Sequence, residues 1–116
     1  MRLATAFDDG WELDDGEALH SEAPETFYIP PEDVRNSLSP GQNVKLVFRI
    51  SVEDEDGTST QEVERMWVLV QQGLTHGQYI GELNSDPYCT NGIQAGMIVV
   101  FEPRHVIQIY DGANAA

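Results

Sequence analysis

The chain has 116 residues, of which 20 are Asp or Glu and 6 are Lys or Arg, giving a formal net charge of −14 at pH 7. This length fits one domain with one core. Because nucleic-acid-binding proteins neutralise phosphates with Lys and Arg, the acidity argues against DNA, RNA and anionic membranes as partners. A field of this sign attracts basic surfaces and speeds their encounter, although excess acid can also serve solubility alone.

The sequence offers three indications of localisation. Residues 1–20, MRLATAFDDGWELDDGEALH, lack the apolar stretch of a signal peptide. No segment approaches the roughly 20 apolar residues of a membrane span. The single cysteine, Cys89, has no internal disulfide partner, which fits a reducing compartment. We therefore expect a soluble, cytoplasmic protein.

Acidic residues dominate the N-terminal region, where eight of the first 25 residues are Asp or Glu. Two similar turns, DDGWEL at 8–13 and DDGEAL at 14–19, lie within it. We interpret residues 1–25 as an acidic N-terminal arm whose Trp11 either anchors it to the body or contacts a partner. Residues 26–110 form the expected single β-rich domain, and residues 111–116 a flexible tail.

A short helix is predicted near residues 31–38. Pro31 suits a first helical turn, Glu32 and Asp33 favour the positive end of the helix dipole, and Pro40 and Gly41 end the helix. The next segment alternates apolar and polar residues, as a half-buried strand does; its apolar positions are Val44, Leu46, Phe48 and Ile50.

A hairpin is predicted to join this strand to the next. The Asp56-Gly57 pair is a turn signal, and it places four consecutive acids at an exposed tip: Glu53, Asp54, Glu55 and Asp56. The return strand carries apolar residues on both faces around 66–70, so we expect it to be central, with Met66 and Trp67 filling the core from opposite faces. Glu64 and Arg65, at the start of this apolar stretch, are expected to make rim contacts or cross-strand pairs.

Three further strands complete the predicted sheet. Gly81 in the first of them marks a bulge or a close backbone approach, and Pro103 separates the last two. LSPGQNVKLVF at 38–48 and IQAGMIVVF at 93–101 share a spacing in which a glycine turns the chain into a strand. The predicted fold class is α+β, mainly β: a strongly twisted antiparallel sheet or small partly open barrel with one short helix.

The sequence contains no recognisable group of catalytic or metal-binding residues. Cys89 would need a base such as His76 or His105, and its surroundings do not resemble a helix start that lowers a thiol pKa. The three histidines are isolated from one another, unlike zinc ligands. A calcium-binding loop that places Gly57 at its sixth position, around EDEDGTSTQEVE, fails at its first and twelfth positions, which are Val52 and Val63. We therefore expect a protein that is not an enzyme and needs no cofactor.

Several segments carry a family resemblance: FYIPP at 27–31, LSPGQNVKLVF, ERMWV at 64–68, GQYIGELNSDP at 77–87 and IQAGMIVVFEPRHVI at 93–107. Together they are similar to a bacterial family of small domains of unknown function, related to immunity proteins that accompany polymorphic or secretion-delivered toxins. The resemblance implies a mainly β fold, no known catalytic residues and a role in toxin neutralisation. It covers residues 26–109 and leaves out the acidic arm.

The expected function is that of a non-catalytic immunity protein that occludes the basic active-site surface of a cognate toxin. The expected partner-binding residues are Glu53, Asp54, Glu55, Asp56, Asp8, Asp9, Trp11, Asp14 and Asp15. An alternative is a housekeeping or stress-related domain that binds a small molecule in a pocket formed by Trp67, Tyr79, Asn84 and Tyr88. A third is a hydrolase that uses His105 or Cys89 with a carboxylate.

Overall fold

The computed structural model describes residues 2–89 and 92–110. Three short helices precede the main strands: α1 (Ala6–Asp9), α2 (Gly16–Glu22) and α3 (Glu32–Arg35). The strands are β1 (Trp11–Leu13), β2 (Asn43–Glu53), β3 (Ser59–Gly73), β4 (Tyr79–Leu83), β5 (Ile98–Phe101) and β6 (Val106–Tyr110). Single 3₁₀ turns lie at Thr75–Gly77 and Pro103–His105.

The strands form one antiparallel sheet that curls into a half-barrel, as the sequence predicts. Its order is β1-β2-β3-β4-β5, and β6 pairs with the same edge of β2 as β1 does, but at the opposite end of that strand. Register shifts interrupt the β2–β6 and β3–β4 pairings. Such bulges increase the local twist, which explains the strong curl.

Gly81 permits the close approach between β3 and β4. A Cβ atom at this position would lie 2.5 Å from Cγ1 of Val68 and 2.7 Å from the carbonyl oxygen of Leu69. The pairing of β3 with β4 shifts register immediately beyond it, between Val70 and Gln72. The sequence-based interpretation of Gly81 is therefore confirmed.

The two glycine segments that resemble each other in sequence adopt the same turn. Gln42 donates its backbone N–H to Ser39, and Met97 donates to Gln94, each across a glycine with positive φ. Each glycine also donates to a neighbouring strand, Gly41 to Val70 and Gly96 to Leu83. These turns feed β2 and β5 into the sheet, so the repeated spacing reflects a repeated structural solution.

The concave face of the sheet holds the core. Its most completely buried side chains are aliphatic and aromatic: Val44, Leu46, Phe48, Ile50, Val68, Val70, Leu83, Val99, Phe101 and Val106. Met66 belongs to this core, whereas Trp67 lies on the opposite face and is only half-buried. The expectation that both side chains fill the core is therefore wrong for Trp67, because the core covers only the face of β3 that carries Met66, Val68 and Val70.

The N-terminal region packs against the sheet. The β1 strand pairs with β2, and Ser51 and Asp14 donate backbone hydrogen bonds that continue the contact at both ends.

The helix near 31–38 is shorter than predicted, since α3 ends at Arg35. The predicted tail, 111–116, lies outside the described residues. In the described part of the chain, no helix has the length and apolar character that a membrane crossing requires.

Candidate functional site

The far end of the β2–β3 hairpin carries four exposed acids, here called the hairpin tip: Glu53, Asp54, Glu55 and Asp56. The turn is closed by backbone hydrogen bonds from Asp54 to Thr58 and from Gly57 to Asp54. Gly57 has φ 85°, a conformation that glycine adopts without strain. The acids are thus displayed on an ordered turn.

Within the described residues, the charges of the hairpin tip are not compensated by neighbouring cations. Thr58 is the hydrogen-bond donor to the carboxylates of Asp54 and Asp56. Its side-chain and backbone bonds hold the pKa of Asp56 below its usual range, so this group is ionised at neutral pH. Among residues 2–89 and 92–110, no ion pair includes a hairpin-tip acid.

The arm acids proposed from the sequence are mostly occupied within the chain. Asp9 pairs with Arg2, and Asp14 receives two hydrogen bonds from Arg49, at 2.7 and 3.0 Å. Asp15 accepts a hydrogen bond from the backbone of Ala18 and pairs with Arg104. Asp8 is exposed and interacts with the neighbouring Thr5.

Trp11 is part of the core. It is 7% exposed, and its ring centroid lies 5.4 Å from that of Phe48. A partner could contact this ring only if β1 left the sheet. Trp11 therefore anchors the arm, the first of the two roles considered for it, and we omit it from the contact surface.

The four residues of the expected small-molecule pocket lie in three different environments. Tyr79 is buried, stacks on Phe101 and accepts a hydrogen bond from the backbone of Leu38. Tyr88 is fully exposed. Trp67 and Asn84 are neighbours on the outer face, where the Asn84 N–H donates to the Trp67 carbonyl. This arrangement gives no common pocket.

Glu64 organises the loop that contains the single cysteine. Its carboxylate accepts the backbone N–H groups of Tyr88 and Cys89, at 2.9 and 3.0 Å. Burial and the adjacent Glu64 carboxylate raise the pKa of the Cys89 thiol to about 11. The thiol is therefore protonated near neutral pH, which opposes a role as nucleophile.

His105 has a structural environment. It is buried in the Pro103–His105 turn, and its Nδ1 accepts the backbone N–H of Glu102. Burial, reinforced by the nearby Arg104 charge, lowers the pKa of His105 to about 4. His76 lies in an exposed turn and has φ 64°. In the described parts of the chain, no cluster of His, Cys, Asp or Glu side chains could hold a metal ion.

The outer face of the sheet carries a cation–aromatic cluster that the sequence reading missed. The ammonium group of Lys45 lies 4.7 Å from the Trp67 ring centroid, and the Tyr110 ring centroid lies 6.1 Å from the same ring. Arg65 lies over the ring of Phe27. The only sequence feature that could have predicted this cluster is the period-2 alternation, which places positions 65 and 67 on one face of the strand.

Arg35 was also missed, because nothing in its local sequence signals burial. It is 4% exposed and donates to the carbonyl oxygens of Pro30 and Pro103 and to the Glu17 carboxylate. It thereby joins α3, the arm and the Pro103–His105 turn.

Comparison with known proteins gives no match: no family model, no curated protein and no solved structure is similar to this chain. The family resemblance drawn from the sequence therefore remains a hypothesis.

Proposed function

We propose that this chain is a non-catalytic acidic binding protein that inserts its β2–β3 hairpin into a basic surface of a partner protein. The observation that carries the proposal is the hairpin tip, which projects four uncompensated carboxylates away from the core. The partner class that best fits this chemistry is a toxin with a basic active-site cleft, which makes the chain an immunity protein.

The shape of the hairpin supports insertion. On β2, Ile50 is the last fully buried residue, and the strand continues to Glu53. At about 3.3 Å per residue, these three residues add roughly 10 Å before the turn. On β3, every residue from Ser59 to Val63 is exposed. A narrow ribbon of this kind fits a cleft better than a flat surface.

Electrostatics supports the choice of the hairpin tip over the arm. The described residues include all six Lys and Arg side chains, and four of these, Arg2, Arg35, Arg49 and Arg104, form ion pairs with Asp9, Glu17, Asp14, Asp15 or Glu102. Those cations offset acids of the arm and of position 102. No ion pair in the described part of the chain offsets the four consecutive acids of the hairpin tip, so this turn concentrates negative charge that attracts a basic partner.

A capture experiment with two matched variants tests this proposal. The tip-neutral variant carries Glu53→Gln, Asp54→Asn, Glu55→Gln and Asp56→Asn; the amide oxygens preserve the acceptors for Thr58. The control variant carries Glu22→Gln, Glu25→Gln, Glu32→Gln and Asp33→Asn, which removes the same charge from other exposed positions. Both should retain the circular-dichroism spectrum of the parent.

Tagged parent and variant proteins are incubated with lysate of the source organism, washed at low and then high salt, and analysed by mass spectrometry. We expect the parent and the control variant to retain one stoichiometric basic protein that high salt releases, and the tip-neutral variant to lose it. Retention of the same protein by all three, or by none, from cells shown to express the neighbouring genes contradicts the proposal.

A further inference from the structure

Ion pairs join the N-terminal arm, residues 1–25, to the body of the chain, residues 26–110. Three acids of the arm, close together in sequence, each reach an arginine of the body: Asp14 pairs with Arg49 at 2.7 Å, Asp15 with Arg104 at 3.3 Å and Glu17 with Arg35 at 2.6 Å. A further pair, between Arg2 and Asp9, lies within the arm. The contact between arm and body is therefore strongly charged.

The arm buries little apolar surface. Among residues 2–25, only Trp11 and Gly16 are buried, and Ala4 and Leu13 are partly buried against the core. The β1 strand pairs with β2 through three residues. A segment that has few buried apolar side chains and a short strand pairing opens at a lower free energy than the core of a sheet does.

Solvent reaches all three ion pairs between arm and body. At least one side chain of each pair is more than one-third exposed: Arg49 is 37% exposed, Arg104 38% and Glu17 47%. Ion pairs of this exposure each contribute little to stability, and dissolved salt screens them. The docking of the arm therefore includes a contribution that salt weakens.

Gly16, at the start of α2, fits closely against the body. A Cβ atom at this position would lie 2.8 Å from Cγ2 of Ile107 and 3.1 Å from the carbonyl oxygen of Arg104. A methyl group at position 16 would thus push α2 away from the body without changing any charge. This position offers a way to oppose docking that does not involve the ion pairs.

We propose that the arm is a strap that docks on the body reversibly and as a unit, and that its three ion pairs with the body are the latch. When the latch opens, β1 leaves β2 while the β2–β3 hairpin and the rest of the sheet stay folded. The turn at residues 24–26 is the hinge, because Phe27 beyond it remains packed on Arg65.

Opening changes what the arm presents to solvent. The open form exposes the ring of Trp11 and frees the carboxylates of Asp14 and Asp15 from their arginines. The latch thereby regulates whether the arm joins the hairpin tip in contacting a basic partner. This consequence rests on the proposed function, whereas the strap itself does not.

Native-state hydrogen exchange of the full chain, followed by NMR, tests the proposal. The reporter is the amide of Ser51, which donates to the Gly10 carbonyl of the arm. The reference is the amide of Ile50, which lies opposite Glu62 in the β2–β3 pairing and points to β3, since N–H groups alternate sides along a strand. We expect Ser51 to be protected at least about tenfold less than Ile50. Equal protection would mean that the arm opens only together with the hairpin, which overturns the proposal.

Two variants with the same net charge identify the latch. The latch-neutral variant carries Asp14→Asn, Asp15→Asn and Glu17→Gln, whose amide oxygens keep the acceptors, including the one that caps Ala18. The three-charge control replaces exposed acids that form no ion pair with a described residue; it carries Glu22→Gln, Glu25→Gln and Glu32→Gln.

The measured quantity is the ratio of the protection of Ser51 to that of Ile50. It should fall about twofold for each ion pair, or roughly fivefold to tenfold in the latch-neutral variant, and should change less than about twofold in the three-charge control. Equal changes in the two variants would show that the ion pairs are not the latch.

Salt and Gly16→Ala provide independent readouts on the free chain. Between about 50 and about 500 mM salt, the protection ratio should fall in the parent and change less in the latch-neutral variant. Gly16→Ala should lower the ratio at every salt concentration. A ratio in the parent that does not depend on salt, or one that Gly16→Ala leaves unchanged, overturns the proposal. Because no partner is present, these results are separate from the outcome of the capture experiment.

Discussion

Arg35 and Glu17 form an ion pair, with 2.6 Å between Nη1 and Oε2, that joins α3 to the N-terminal arm. The arginine is almost completely buried, whereas the glutamate side chain is about half exposed. The same guanidinium donates to two backbone carbonyls. The arginine therefore organises this junction, and the glutamate adds a weaker, solvent-screened contact.

We therefore expect substitutions at these two positions to lower the free energy of unfolding by unequal amounts. Arg35→Met should lower the free energy of unfolding by about 2–4 kcal/mol, because the Pro30 and Pro103 carbonyls lose their donor. Glu17→Gln should cost no more than about 1 kcal/mol, since an amide oxygen can still accept the bond. Urea denaturation followed by circular dichroism measures both. Comparable losses in the two variants would show that the arginine has no special role.

The two tryptophans should differ in their contribution to stability. Trp11→Ala removes a buried ring packed on Phe48 and should cost about 3–5 kcal/mol. Trp67→Ala removes a half-buried ring from the outer face and should cost roughly 1–2 kcal/mol, through lost packing with Lys45 and Tyr110. Urea denaturation of the two variants measures the difference. A larger loss for Trp67→Ala would contradict the assignment of the two faces.

Stability should fall as the pH decreases from about 6.5 towards 4, partly because of His105. Its pKa is lowered to about 4 in the folded state, against about 6.5 when unfolded. The unfolded chain therefore binds the proton more readily in this window, and the stabilisation present above pH 6.5 is lost as the pH falls. The expected contribution is at most about 3 kcal/mol.

Comparison of the parent with His105→Gln isolates this contribution. The charges of Asp15, Glu102 and Arg104 also influence the pKa of the imidazole. The difference between the pH profiles of the parent and the variant therefore measures the contribution of His105. The variant should show a shallower loss of unfolding free energy between pH 6.5 and pH 5, measured by urea titration at each pH. Parallel pH profiles would mean that His105 does not titrate differently on unfolding.

Cys89 should react slowly with thiol reagents. With the pKa of the thiol raised to about 11, the thiolate fraction at pH 8 is about 100-fold below that of an ordinary cysteine. Reaction with a disulfide reagent should therefore be slower by a similar factor in the native protein than in urea. Glu64→Gln should increase the native rate several-fold, because it removes the adjacent negative charge. A native rate equal to the denatured rate would exclude this environment.

The sequence predicts the sheet well where its signals are local. Alternation from Val44 to Ile50, the Asp56-Gly57 turn and the two glycine turns at positions 41 and 96 each fix the backbone through neighbouring residues. The hairpin tip follows directly from the second of these signals. For the same reason, Gly81 could be recognised as a close backbone approach.

The remaining features depend on contacts between distant residues. The β1 strand is three residues long and lies among acids, and its pairing with β2 depends on the packing of Trp11 against Phe48. Alternation places Met66 and Trp67 on opposite faces, but it does not say which face is covered. The ion pairs that occupy Asp14 and Asp15 involve Arg49 and Arg104, which are 35 and 89 residues away in sequence.

The association rate of the captured partner, measured by stopped flow between about 20 and about 500 mM salt, tests the central claim most directly. For the parent and the control variant, we expect a fast rate that falls steeply with salt. The tip-neutral variant should associate at least about tenfold more slowly at low salt, with a shallow salt dependence. Equal rates and equal salt dependence for the tip-neutral and control variants would show that the hairpin does not direct binding.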